Sequence, residues 1–96
     1  MKIRLVEIGG EFCTSRRSPA LEKLRALTKE CLDKGEYLEI LTEGVKILTP
    51  SFIDEWIPPL IIEYGEETYQ KFIRFEPALE GYLKEQVQRG VAARLP

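Results

Sequence analysis

Apolar positions change their period several times along this chain, and each change marks a new element. Ile3, Leu5, Val6 and Ile8 form a short β-like run that stops at Gly9-Gly10, which predicts a strand over 2–8. Residues 11–18 are mostly polar, with Ser15, Arg16, Arg17 and Ser18 at their end, and read as a loop. The period then becomes helical through Leu21, Leu24, Leu27, Thr28, Cys31 and Leu32. Ser18 can accept hydrogen bonds from the first free N–H groups, Pro19 suits the first helical position, and Gly35 can adopt the left-handed stop. Together they predict a helix over 19–34.

The second half repeats the alternation. Tyr37–Thr42 reads as a strand, Glu43-Gly44 as a turn, and Val45–Leu48 as a further short strand. Thr49-Pro50 opens a second helix whose apolar stripe is Phe52, Ile53, Trp56, Ile57, Leu60 and Ile61. Pro58-Pro59 lies inside that helix, so a kink or a split is expected there. Gly65 ends the segment, and Phe72–Glu76 reads as a last strand. Pro77 opens a third helix carrying Leu79, Tyr82, Leu83 and Val87, weakened by Gly81 and Gly90, with a tail expected to fray over 91–96. Strands alternating with helices at this spacing predict an α/β fold with a largely parallel sheet.

At 96 residues the chain suits one domain, 1–96, with one core. A charged fraction of 31% with a net charge of −2 and no basic block gives nucleic acid little to bind. No apolar run is long enough to span a bilayer, and Lys2, Arg4 and Glu7 interrupt any signal-like stretch, so the expected location is cytoplasmic, without membrane contact. Cys13 and Cys31 are too few for a disulfide framework and do not sit at metal-ligand spacing. The chain contains no histidine, which removes the commonest general base near neutral pH and the commonest metal ligand. The expectation is therefore a protein that is not an enzyme and holds no metal or other cofactor.

Several local features resemble the STAS-like domains, a small bacterial family related to the anti-sigma factor antagonists. Gly10-Glu11 follows the first strand where such domains carry a Gly-Glu turn. Ser15-Arg16 matches a Ser-Arg pair of the STAS-like branch, and Gly44–Trp56, GVKILTPSFIDEW, is the closest match. Two positions differ: Leu41 stands where an acidic residue is usual, and Thr49-Pro50-Ser51-Phe52 replaces the Asp-Ser-Ser-Gly signature of the antagonists. The resemblance implies a mixed, mostly parallel sheet of about four strands with helices mainly on one face. It also implies a regulatory protein-interaction module in which Ser51 is the phosphoacceptor. The partner would be a kinase-like ATPase or an anti-sigma-type switch protein, and a homodimer is compatible with the fold.

Read as chemistry, Ser51 lies in a first helical turn, where a phosphate would find N–H donors, and Thr49 is placed to cap that helix. Ser15, Arg16 and Arg17 form a polar loop that can hold an anion or a partner's carboxylate. Phe52 and Trp56, four apart on one helical face, are either a partner-binding anchor or core. Cys13 is either a thiol activated by the nearby arginines or a small half-buried residue. The adjacent carboxylates Asp54 and Glu55 read as solvated. Two other functions fit the same residues: a small-ligand or nucleotide-binding domain using the Ser15–Ser18 loop, or a structural subunit that dimerises.

Overall fold

The computed structural model of the protein describes residues 1–95. Its elements in chain order are β1 (Lys2–Arg4), α1 (Leu5–Gly9), β2 (Phe12–Cys13), α2 (Pro19–Lys34), β3 (Leu38–Leu41), β4 (Ile47–Leu48), α3 (Pro50–Tyr64), α4 (Glu66–Phe72), β5 (Ile73–Glu76) and α5 (Gly81–Arg94). The helix predicted over 19–34 has those bounds. The Ser18 hydroxyl accepts the Leu21 N–H at 3.2 Å, and Gly35 closes the other end at φ 65°.

Three strands form a parallel sheet in the order β1-β3-β5, with Ile3 beside Ile40 and Ile40 beside Phe75. That register puts Ile3, Ile40 and Phe75, with Leu38 and Ile73, on one face, and it is this face that is buried. The opposite face carries Lys2, Glu39, Arg74 and Glu76, with Lys2 paired to Glu39 at 4.0 Å.

The expected mixed sheet of about four strands is corrected. The sheet is three-stranded and wholly parallel, and β2 and β4 form a separate two-stranded parallel ladder. The strand expected over 2–8 stops at Arg4 because Leu5 and Ile8, three apart, reach the core together only from the helical turn α1. α4 was not anticipated, since none of its residues is buried.

α3 lies at the centre of the packing. Trp56 is fully buried and meets Phe52 and Phe75 edge-on at 6.1 and 5.4 Å between ring centroids. Its indole N–H donates to the Thr28 hydroxyl at 3.4 Å, and Thr28 in turn donates to the Leu24 carbonyl, so the buried polar atoms are satisfied.

The split expected at Pro58-Pro59 is also corrected, because α3 runs unbroken from Pro50 to Tyr64. Two prolines without N–H groups leave the carbonyls four residues earlier, those of Asp54 and Glu55, without helical partners. Each carbonyl is taken by an arginine from another helix. Arg94 Nη2 of α5 donates to the Asp54 carbonyl at 3.0 Å, and Arg25 Nε of α2 donates to the Glu55 carbonyl at 2.8 Å. The tail expected to fray from residue 91 is accordingly helical to Arg94, since Arg94 is anchored on α3; Pro96 lies outside the described residues. Gly90 brings α5 close against α3. A Cβ built there would lie 2.5 Å from both Asp54 Oδ1 and Pro58 Cγ.

Candidate functional site at the start of helix α3

β2 leads into the 14–18 loop and β4 leads into α3, so the parallel pairing of β2 with β4 brings the loop to the helix start. The Thr49 N–H donates to the Cys13 carbonyl at 3.1 Å. The Thr49 hydroxyl accepts the Phe52 N–H at 3.3 Å, and its own proton faces the Cys13 and Thr14 carbonyls at 3.5 and 3.4 Å. Thr49 is thus both the cap of α3 and the clasp that holds the loop against it.

Ser51 follows in the first turn, half-buried, and its hydroxyl makes no hydrogen bond within the described residues. The first turn carries no acidic side chain, so the positive end of the helix is not neutralised locally. Asp54 and Glu55, three and four residues further on, share the helical face of Ser51.

These carboxylates are not solvated, as their adjacency in sequence had suggested. Arg16 Nη1 reaches Glu55 Oε1 at 2.9 Å and Asp54 Oδ2 at 3.5 Å. Arg25 pairs with Glu55 at 2.9 Å. Arg94 pairs with Asp54 at 3.0 Å, and Gln86 donates to it at 3.2 Å. The Asp54 side chain is only 14% exposed, and the hydrogen bond from Arg94 is the main reason its carboxyl is held below the ordinary value. Three arginines from the loop, α2 and α5 therefore converge on two carboxylates of α3.

The remaining candidates divide. Ser15 accepts the Arg17 N–H at 3.2 Å and shapes the loop rather than pointing at a ligand. Arg17 is exposed and has no ion-pair partner among the described residues, whereas Arg16 is engaged. The partner-anchor role considered for Phe52 and Trp56 is corrected: at 1% and 0% exposure both are core, and no partner can touch them in this fold. Cys13 is buried and its thiol is pushed up by that burial, opposite to the direction an activated thiol requires.

The exposed aromatic and aliphatic groups beside the site are instead Phe12 and Ile47, at 57% and 47% exposure. They are register partners on the β2–β4 ladder, one residue ahead of Cys13 and Leu48. Sequence reasoning missed them because a two-residue strand has no legible alternation. It also missed Arg25, Gln86 and Arg94. The signal that points to the two arginines is the Pro58-Pro59 doublet itself, which requires donors for two carbonyls that no α3 backbone can supply.

No family model matches the chain, and neither does a curated protein or a solved structure.

Proposed function

We propose that the chain is a non-catalytic regulatory protein-interaction module of the STAS-like kind, whose partner affinity is set at the first turn of α3. The observation that carries this reading is the placement of Ser51: half-exposed, without a hydrogen bond among the described residues, and on a helix start clasped to the loop that bears Arg16 and Arg17. Phe12 and Ile47 provide exposed apolar contact area beside it, and Arg17 provides a cation with no ion-pair partner among the described residues.

A phosphate on Ser51 adds a charge of about −1.5 to −2 at the positive end of the helix. It would stand on the same face as Asp54 and Glu55 and compete with them for Arg16. Phosphorylation then moves the loop as well as the charge, so one modification alters two parts of the docking surface. The partner is expected to be a kinase-like ATPase or an anti-sigma-type switch protein. The small-ligand alternative draws less support, because Asp54 and Glu55 already neutralise Arg16. Dimerisation through the proline-bearing helix draws little, because Pro58 and its neighbours Ile57, Leu60 and Ile61 are buried within the chain.

The test begins with capture of the partner on the tagged full chain and its identification by mass spectrometry. Incubation of that partner with ATP and the chain follows, with phosphate located by peptide mapping. Phosphate on Ser51, absent in Ser51→Ala, is the expected result. A stable complex in which Ser51 is neither modified nor protected from solvent would discard the switch.

A further inference from the structure

The sheet ends at β5, whose second edge is not covered by another strand. The direction of its hydrogen-bonding groups follows from the ladder. The Thr42 N–H donates to the Glu76 carbonyl at 3.1 Å, so Glu76 faces β3, and by the alternation of a strand so does Arg74. The groups of Ile73 and Phe75 therefore face outward. The Ile73 N–H is taken by the Tyr69 carbonyl at the end of α4. This leaves the Ile73 carbonyl, the Phe75 N–H and the Phe75 carbonyl without strand partners.

Ile73 and Phe75 border an open cleft of about 380 Å³ between α4 and α5, lined on its apolar side by Ile61, Tyr69, Leu79 and Val87 and otherwise by charged and amide side chains of α4, β5 and α5. The Tyr69 hydroxyl has no hydrogen-bond partner among the described residues. Unpaired backbone donors and acceptors on a strand edge form a template for another strand, so the order acceptor, donor, acceptor along β5 defines what fits. It matches an extended backbone: one residue of an added strand donates to the Ile73 carbonyl and accepts from the Phe75 N–H, and the residue two further on donates to the Phe75 carbonyl. The added strand would turn alternate side chains toward Ile61, Leu79 and Val87.

We infer that this cleft binds an extended peptide segment of a partner protein, which adds to the sheet beside β5. The site lies on β5, away from Ser51, and goes beyond the regulatory reading, so either can fail without the other.

The experiment uses the full chain labelled with 15N and short linear peptides selected on it from a displayed library. In the free protein the Phe75 amide should exchange with solvent faster than those of Arg74 and Glu76, which bond to β3. With a saturating selected peptide, Phe75 exchange should slow at least about tenfold. The same peptide N-methylated at alternate amides should no longer bind, and Gln88→Trp, which fills the cleft mouth from an exposed position on α5, should weaken binding about tenfold. Equal protection of Phe75, Arg74 and Glu76 in the free protein would overturn the inference. So would failure to select any binding peptide, or binding of a helical peptide, or of one that leaves Phe75 exchange unchanged.

Discussion

Arg94 makes two kinds of bond to one residue: a charge-assisted pair with the Asp54 carboxylate and a hydrogen bond to the Asp54 carbonyl that Pro58 leaves without a partner. Arg94→Ala removes both and leaves a carboxylate that is only 14% exposed with Gln86 and the longer contact from Arg16 alone. A loss of about 2–3 kcal/mol is expected in urea unfolding. Arg16→Ala breaks pairs made by a side chain that is 52% exposed and should cost less than about 1 kcal/mol in the same measurement. Equal losses for the two variants would contradict this assignment of roles. The same carboxylate sets a pH dependence. Arg94's hydrogen bond holds Asp54 below its ordinary 3.8 in the folded chain, against the opposing effect of burial. The stabilisation is therefore complete above that ordinary value and is lost as pH falls through the lower folded one. Unfolding free energies measured across acid pH should show this loss in the parent and a smaller one in Asp54→Asn; parallel profiles would remove Asp54 as its source.

At the scale of elements, α3 depends on neighbours for bonds it cannot make itself. If Arg25 replaces the N–H that Pro59 lacks, then Pro59→Ala should make Arg25 less necessary, since the alanine restores a backbone N–H that can donate to the Glu55 carbonyl. The double-mutant cycle of Arg25→Ala and Pro59→Ala should give a coupling of about 1 kcal/mol in stability. A cycle that closes to zero would show that the carbonyl gains nothing from Arg25. The α3–α5 crossing makes a second demand. Gly90→Ala supplies a better helix former but drives a Cβ into Asp54 and Pro58, so a net loss of about 1–3 kcal/mol is expected, read from thermal or urea unfolding. A stabilised variant would mean that the helices separate freely at that point. What could be read from the residues follows the same division. α2 was legible at both ends, because Ser18-Pro19 and Gly35 act through local backbone chemistry. The start of α3 was legible from Thr49-Pro50 for the same reason. α1 was not, because Ile3 and Leu5 fit a strand while Leu5 and Ile8 fit a helical turn over so short a run, and only tertiary burial decides between them. The arginine convergence on Asp54 and Glu55 was not legible either, since its members lie 30 to 40 residues apart.

For the whole molecule, the functional candidates sit where two chain segments meet. The β2–β4 ladder holds the 14–18 loop against the start of α3, and the loop's Arg16 pairs with Asp54 and Glu55 on the helix face that carries Ser51. In the proposed switch a charge at Ser51 would act at the surface, because Phe52, Ile53 and Trp56 bury the opposite side of the helix. Whether the first turn of α3 sets partner affinity is decided by calorimetric titration of the captured partner against the parent chain, Ser51→Ala and Ser51→Asp. Ser51→Ala should bind like the parent, and Ser51→Asp, folded by circular dichroism, should bind at least about tenfold more weakly. Parent-like affinity in both variants would contradict it and leave Ser51 as a residue of the helix cap.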